Sequence, residues 1–272
     1  MGTVTSRLYR WGRHFVETSG LKPVVLPLYR LGTHLQYRLA GETYEVEIGS
    51  ARARFHIPTS NEWSDFRTIE EKPVLEHLLS NLRRDDVFYD IGANLGLYSC
   101  LVADVVSSPI VAFEPHPDNA DRLEKNADLN GADISIFRCA LADSTGEAEL
   151  NITLDKVGSA GHTLVSDRTS GHDSIPVSKI RGDEFIARED LPQPTVLKVD
   201  VEGAEQAVLD GMEESLSRPE CRLVYCETHP NRLKKQGSSV ADVRSTLESH
   251  GFAVTEQPIR EGKGAMMLIG TK

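Results

Sequence analysis

The pattern of apolar and polar residues predicts alternating strands and helices along most of the chain. An apolar run at residues 87–89 is typical of a strand covered on both faces, and apolar residues then recur at helical spacing between positions 97 and 106. Further strands are predicted at 110–113, 134–141, 196–201 and 223–226, and helices at 70–82, 118–129 and 240–250. Short strands at 148–154 and 175–178 and a final hairpin, 252–254 with 265–269, complete the pattern. This alternation predicts a doubly wound α/β fold with a mostly parallel sheet, which binds ligands at the carboxyl ends of its strands.

The N-terminal part of the chain follows a different pattern. Residues 43–57 alternate around Gly49 and Ser50, which predicts a β-hairpin. The first 40 residues combine arginines with large apolar side chains, and Pro23 and Pro27 interrupt any long helix there. We therefore divide the chain into an extension of helices and a hairpin at 1–69 and an α/β domain at 70–272. Two roles for the extension stay open: packing over the ligand cleft, or peripheral contact with an anionic membrane or a lipid-linked acceptor.

Composition and charge limit the classes of partner. The 272 residues carry a formal net charge of −11, of which residues 1–40 contribute +5 and the remainder −16. We expect no nucleic-acid partner, because the acidic body carries the same sign of charge as a phosphate backbone. Arginine outnumbers lysine by 20 to 10. An acidic, lysine-poor surface suits either a halophilic source or an ordinary acidic enzyme.

We expect a cytoplasmic protein with reduced cysteines. No stretch of about 18 apolar residues occurs, so no transmembrane segment is predicted, and the N-terminus lacks the apolar segment of a secretory signal. The cysteines lie within apolar strand or helix patterns, without the C-x-x-C spacing of redox or metal sites. They are therefore predicted to be core residues.

The strand at 87–89 leads through a glycine-bearing turn into a helix. Gly92 and Gly96 allow backbone N–H groups to approach a ligand closely, and a helix N-terminus favours negative charge there. Glu114 ends the next strand, 22 positions after Gly92, the usual distance for a carboxylate that binds ribose hydroxyls. Asp90 is expected to face the place of a dinucleotide's pyrophosphate, and Asn94 replaces a glycine of the dinucleotide pattern. These residues favour S-adenosylmethionine, which has no phosphate, although the turn could also belong to a fold that binds no cofactor.

Two other strand ends carry candidate chemistry. Asp200 follows the strand that begins at residue 196, and Glu227 and His229 end the next strand. In a doubly wound sheet these side chains meet near the reactive end of the cofactor, so they form a candidate acid–base or metal site. We expect His229 to act as the general base, with Asp200 or Glu227 orienting it or serving instead. Mg²⁺ could bind the same oxygens, but we do not favour a metal because the sequence offers no dense carboxylate cluster. Lys198, on the same strand face as Asp200, is expected in a buried ion pair.

Three motifs resemble the FkbM-type family of S-adenosylmethionine-dependent methyltransferases. They are FYDIGANLG at 88–96, FEPHP at 113–117 and LKVDVEGAE at 197–205. The last is specific to the family, whereas many methyltransferases share the first two. The resemblance covers about residues 70–230 and implies the class I methyltransferase fold, with a seven-stranded, mostly parallel sheet.

The resemblance also implies roles for single residues. Those around the methionine part of the cofactor would be Asp90, Gly92, Asn94 and Gly96, with Glu114 at the ribose hydroxyls and Ala140 and Asp143 beside the adenine. Family members mostly methylate hydroxyls of polyketides, sugars and other small or lipid-linked acceptors. We therefore expect O-methylation of a sugar, lipid-linked or polyketide-like acceptor. The alternatives are an NAD-dependent oxidoreductase or epimerase, and a non-catalytic binding module that retains the fold.

Overall fold

A computed structural model describes most of the chain. It describes residues 32, 41–59, 62, 66–152, 158, 163–165, 173–259 and 265–272. The basic opening of the chain, on which the predicted membrane contact rests, lies outside these residues. The described residues fall into two compact units, one within 1–44 and 57–68 and one within 45–56 and 69–272. The hairpin residues 45–56 thus group with the larger unit, while the predicted boundary at residue 69 stays a prediction.

Strands and helices alternate along the described chain. The strands are β1 (Thr43–Ile48), β2 (Ala51–His56), β3 (Phe88–Ile91), β4 (Ile110–Phe113), β5 (Ile134–Phe137), β6 (Ala140–Ala142), β7 (Gly146–Asn151), β8 (Thr163–Val165), β9 (Ser174–Arg181), β10 (Val196–Val199), β11 (Leu223–Thr228), β12 (Ala253–Pro258) and β13 (Met266–Thr271). The helices are α1 (Lys72–Asn81), α2 (Leu97–Ala103), α3 (Pro117–Asn130), α4 (Gly182–Arg188), α5 (Glu205–Asp210), α6 (Glu213–Ser217), α7 (Pro230–Lys235) and α8 (Val240–Ser249). β1 and β2 pair as the predicted hairpin.

The central sheet has seven strands in the order β12-β13-β11-β10-β3-β4-β5. The run from β11 to β5 is parallel, and β13 pairs antiparallel with both β11 and β12. β10 lies beside β3, with Lys198 opposite Asp90. The prediction of a mostly parallel, doubly wound sheet is therefore confirmed. The strand order reverses between β3 and β10, where such sheets bind their ligands.

Continuous burial explains why the middle strands read as apolar runs. Every residue of β3, β4 and β10 is buried, because helices cover both faces of the sheet. One face carries a core cluster that includes Tyr89, Phe113, Leu197, Val224 and Leu268. Each such side chain contributes about 1.5–3 kcal/mol when fully buried. The carboxyl ends of these strands are therefore positioned by a well-packed core.

The predicted strand at 134–141 is wrong as a single element. β5 belongs to the central sheet, whereas β6 belongs to a second sheet with the order β6-β9-β7-β8. Arg138 lies at the break, exposed, and its guanidinium pairs with Asp121 (2.6 Å) and Glu124 (2.8 Å) on α3. A charged residue that must stay in solvent cannot continue a covered strand, so the chain leaves the sheet there.

Two expectations about chemistry and location can be compared with the described chain. Its helices include none with the length and apolar character needed to cross a bilayer. All four cysteines are buried and form no disulfide. The prediction that the cysteines are core residues is therefore confirmed.

Candidate active site

The turn after β3 lies against the end of β10. Gly92, Asn94 and Gly96 adopt positive φ angles of 79°, 51° and 82°, and α2 begins directly afterwards. A Cβ at Gly92 would overlap the carbonyl oxygen of Asp200. Glycine at this position is therefore required by the close approach of two strand ends, as well as by its positive φ.

A cavity with about 670 Å³ of empty space, partly open to solvent, lies at the carboxyl ends of β3, β4 and β10. Gly92, Asn94, Glu114 and Ala140 line it, as predicted for a cofactor site, together with Asp200. A concave site at the carboxyl ends of the strands is the usual place for a ligand in such a fold. Asn94 Oδ1 is buried and has no hydrogen-bond partner among the described residues. The wall thus offers a free acceptor next to the turn.

Glu114 is the most constrained carboxylate of the cavity wall. Its side chain is buried, Oε2 accepts a hydrogen bond from the Asn94 backbone N–H, and Oε1 accepts one from that of His116, both at 2.8 Å. Burial raises the pKa of Glu114 to about 7, although the two backbone hydrogen bonds act in the opposite direction. The carboxyl group is therefore fixed in place, and its ionisation is balanced near neutral pH.

Three predicted cofactor residues do not line the described cavity wall. Asp90 is fully buried, and its Oδ2 accepts hydrogen bonds from the backbone N–H (3.1 Å) and hydroxyl (2.6 Å) of Ser99. Its carboxylate therefore anchors the first turn of α2 and does not line the described cavity wall, and its role toward the cofactor stays a prediction. A Cβ at Gly96 would overlap Leu123, so Gly96 serves packing. Asp143 is exposed and lines a separate cleft. The two-residue period and the spacing do not specify such side-chain directions beyond a strand end.

Asp200, Glu227 and His229 meet beside the cavity, as predicted. One potential ligand atom from each lies within 4.8 Å of the others. Asp200 lines the cavity, Glu227 is the last residue but one of the buried strand β11, and His229 precedes the first residue of α7. Carboxylate oxygens and an imidazole nitrogen at these distances could hold a metal ion or exchange a proton.

His229 is surrounded by carboxylates. Its Nδ1 lies 2.7 Å from Glu205 Oε1, and its Nε2 lies 2.9 Å from Glu202 Oε2 and 3.5 Å from Glu227 Oε1. Burial alone would lower the pKa of His229, but the hydrogen bond to Glu205 and the charges of Asp200 and the neighbouring glutamates raise it above its usual value. Both ring nitrogens face carboxylate oxygens, which accept N–H hydrogen bonds, so the ring offers no free lone pair for a substrate proton. This arrangement does not favour His229 as the general base.

Glu227 is a better candidate for the general base than His229. Burial, followed by the charges of Asp200 and Glu71, raises the pKa of Glu227 to about 8, against smaller opposite effects of His229 and Lys198. A carboxylate with a raised pKa is a stronger base than an ordinary one. Asp200 and Glu227 therefore remain the candidates for proton removal.

Several residues around the cluster were not predicted. Glu202 lines the cavity at a positive φ of 55°, and its carboxylate accepts a hydrogen bond from Arg232. Glu205 is buried, and its Oε1 also accepts a hydrogen bond from the Gly203 N–H at 2.9 Å. The available signal was the three-residue spacing of His229 and Arg232 at the start of a helix. It did not reveal that both residues contact Glu202. The buried ion pair predicted for Lys198 is confirmed, with Asp90 at 3.3 Å and Asp200 at 3.5 Å.

A sequence profile described as the methyltransferase FkbM domain matches residues 90–254. These residues include the glycine turn, Glu114 and the Asp200, Glu227 and His229 cluster. The chain belongs to the FkbM methyltransferase family. This is the family of S-adenosylmethionine-dependent methyltransferases that the three motifs resemble, and the seven-stranded sheet is its expected class I fold.

Curated members of the family differ in the acceptors that their names state. The hexuronic acid methyltransferase AglP of Haloferax volcanii is 34% identical over 171 residues, which cover 62% of this chain and 68% of AglP. The 31-O-demethyl-FK506 methyltransferase FkbM of Streptomyces tacrolimicus is 26% identical over 205 residues, covering 65% of this chain and 76% of that protein. Methyltransferase sdnD of Sordaria araneosa is 28% identical, with coverage of 65% and 77%.

Proposed function

We propose that this FkbM family member transfers a methyl group from S-adenosylmethionine to a hydroxyl oxygen of a small-molecule or lipid-linked acceptor. The observation that carries the proposal is the charge of the cavity wall. Glu114, Asp200 and Glu202 line it, and its described residues include no lysine or arginine. Such a wall suits a ligand with a sulfonium and an ammonium group and repels the pyrophosphate of NAD. This argues against the oxidoreductase alternative.

The described residues fit the proposed cofactor. The backbone at Gly92 and the Asn94 amide would hold the methionine part, and Glu114 would accept hydrogen bonds from the ribose hydroxyls. Ala140, a small residue on the wall, leaves room for the adenine. When bound, S-adenosylmethionine supplies an electrophilic methyl group. The protein's own contribution is to align the acceptor oxygen with that methyl and to exclude water.

Glu227 is our candidate for the general base. A hydroxyl oxygen becomes a good nucleophile only as its proton leaves, and Glu227 combines a pKa of about 8 with a place next to Asp200, which lines the cavity. His229 would then act as a positioning residue, because its ring contacts Glu202, Glu205 and Glu227 at once. Asp200 lies on the cavity wall and would orient the acceptor hydroxyl.

Sugars are the acceptor class that we would test first. AglP is named as a hexuronic acid methyltransferase, and a hexuronic acid offers both hydroxyl and carboxylate oxygens. A carboxylate is already ionised and needs no base, but the carboxylates of Asp200 and Glu202 at the cavity would repel it. The site therefore favours a hydroxyl, and the product would be a methyl ether.

The test uses methyl-labelled S-adenosylmethionine with matched pairs of p-nitrophenyl glycosides, the β-D-glucuronide with the β-D-glucoside and the corresponding galactosides. Label that survives mild alkali marks an ether and supports the proposal, whereas alkali-labile label marks an ester and contradicts hydroxyl transfer. Calorimetry with S-adenosylhomocysteine and with NAD is run in parallel. Binding of NAD alone would overturn the methyltransferase function of this chain, and binding of neither would favour a non-catalytic module.

Chelation separates the metal-free mechanism from a metal-assisted one. Lys198, His229 and Arg232 already place positive charge next to the carboxylates of the cluster, so we expect methyl transfer to be unchanged after treatment with EDTA. A loss of activity that Mg²⁺ restores would instead assign Asp200, Glu227 and His229 as metal ligands. The rate of methyl transfer after EDTA is compared with the rate of the same sample before treatment.

A further inference from the structure

Lys198 lies in the middle of the site but does not line its cavity. It belongs to β10, and its side chain is only 4% exposed. Its Nζ donates a hydrogen bond to the carbonyl oxygen of Gly92 at 2.8 Å and lies 3.3 Å from Asp90 Oδ1 and 3.5 Å from Asp200 Oδ2. Burying an ammonium is costly unless it is paired, and here three oxygens from two chain segments, 90–92 and the end of β10, surround it.

Each of the three partners has a different role in the site. Gly92 and Asp200 both line the cavity, one at the glycine turn and the other at the end of β10. Asp90 anchors α2 through Ser99 and has an Oδ1 with no hydrogen-bond partner among the described residues. The ion pair with Lys198 therefore compensates the buried charge of Asp90, whose hydrogen bonds come from the uncharged Ser99.

We propose that Lys198 is a positioning residue that fixes the glycine turn relative to Asp200, the carboxylate that orients the acceptor hydroxyl. The inference rests on the proposed methyl transfer, because it assigns one end of the link to the methyl donor and the other to the acceptor hydroxyl. In-line transfer depends on the distance and angle between these two ends, so a link of this kind acts on the rate without touching either reactant.

Lys198 also acts on Glu227 electrostatically. Burial and the charges of Asp200 and Glu71 raise the pKa of Glu227, and the ammonium of Lys198 opposes them. Removal of the ammonium therefore moves the titration of Glu227 to still higher pH. A residue that only filled space in the core would leave this titration unchanged.

The test compares Lys198→Met with the double variant Asp90→Asn/Lys198→Met and with the control Lys125→Met, an exposed lysine on α3. The double variant removes the carboxylate that Lys198→Met leaves uncompensated, so it keeps the test open if the single variant fails to fold. Thermal unfolding and calorimetry with S-adenosylhomocysteine are measured on the full chain. Carboxyl ¹³C resonances, assigned with Glu227→Gln, give the titration midpoint of Glu227.

We expect Lys198→Met to bind S-adenosylhomocysteine at least about tenfold more weakly and to raise the Glu227 midpoint by about one pH unit or more. The double variant regains thermal stability but neither the affinity nor the midpoint, and Lys125→Met matches the wild type. Recovery of affinity and midpoint in the double variant would overturn the inference and leave Lys198 a purely structural charge. A wild-type protein that binds no S-adenosylhomocysteine refutes the proposed function instead. The titration midpoint of Glu227 in the variants then tests the role of Lys198 by itself.

Discussion

Glu114 shows how burial and hydrogen bonding compete at a single carboxyl group. Desolvation raises its pKa to about 7, although the N–H groups of His116 and Asn94 stabilise the ionised form. Ribose hydroxyls would add two more donors to the same oxygens and would favour ionisation further. Binding of a nucleoside and loss of a proton are therefore linked at this residue.

We expect the affinity for S-adenosylhomocysteine to increase as pH rises from 5 to 7 and to level off above that. Below a pH of about 7 each unit should weaken binding by up to about tenfold, because Glu114 must first lose its proton. Glu114→Gln should bind at least about tenfold more weakly at pH 8 and lose this pH dependence. Calorimetry in two buffers with different ionisation enthalpies measures affinity and proton release together. Glu124→Gln, an exposed change on α3, is the control, and a wild-type affinity independent of pH would contradict the assignment.

The roles of His229 and Glu227 are separated by a pair of amide variants. We expect Glu227→Gln to lower the rate of methyl transfer by about 10² or more, the usual contribution of a general base. His229→Gln should retain much of the activity. The acid limb of its pH–rate profile should move to higher pH, because the charge of His229 lowers the pKa of Glu227. Rates between pH 6 and 9 on whichever glycoside accepts the methyl group provide the measurement. If His229→Gln is the more damaged of the two at every pH, the imidazole is the base after all.

At the scale of elements, local periodicity was sufficient for the central sheet and insufficient for the second one. The apolar runs of β3, β4 and β10 are continuous because both faces are covered, so their type and order could be predicted. The break at Arg138 was missed because one charged residue inside an apolar run is common in half-buried strands. Only its pairing with α3 shows that the chain turns there.

The site could be predicted where its residues lie at strand ends. It could not be predicted where side chains distant in sequence meet only through the packing of the fold. Asp200, Glu227 and His229 follow directly from parallel strands that end at one edge. Glu202 and Arg232 are 30 positions apart, and their contact depends on how a turn and a helix pack. The contact of Asp90 with Ser99 was not predicted, because the two-residue period gives the face of a strand but not its partner in the neighbouring helix.

Gly211 tests the packing of α5 against the second sheet. A Cβ at this glycine would overlap the carbonyl oxygen of Ala142 at the end of β6. We expect Gly211→Ala to lower the free energy of unfolding by about 1–3 kcal/mol, as is usual for overpacking against a rigid neighbour. Urea denaturation measures the change. Gly146→Ala is the control, since its nearest neighbour is a flexible lysine tip at 3.9 Å, and equal effects of the two variants would refute this account of the contact.

The whole molecule carries an excess of negative charge that its folded state must tolerate. With a net charge of −16 outside residues 1–40, mutual repulsion weakens folding until salt screens it. We expect the midpoint of thermal unfolding to rise between about 0.02 and 0.2 M KCl, where the Debye length shortens most. A continued rise to about 2 M would support adaptation to high salt, and a plateau would indicate an ordinary acidic enzyme. A midpoint that falls over the lower range would contradict the role of repulsion.

The stability of the whole chain should also depend on pH. The carboxyl groups of the site determine whether stability rises or falls as pH increases. Glu114 and Glu227 have pKa values raised from 4.5 to about 7 and 8, so the folded protein keeps protons that the unfolded chain releases. The free energy of unfolding therefore falls as pH rises from about 5 to 8, by about 1–3 kcal/mol per group. His229, whose pKa is also raised, contributes in the same direction.

Chemical denaturation at intervals from pH 5 to 8.5 measures this decline. We expect Glu227→Gln to make the decline shallower from pH 5 to 8, most clearly above pH 7 where Glu114 no longer contributes, because a neutral amide at this position has no proton to lose. Saturating S-adenosylhomocysteine should flatten the part below pH 7, since the ligand is expected to favour the ionised form of Glu114, and Glu114→Gln should abolish that second effect. A stability that instead rises from pH 5 to 8 in the free protein would mean that neither carboxyl group holds its proton in the folded state. In that case the base at the cavity would have to be sought elsewhere in the cluster.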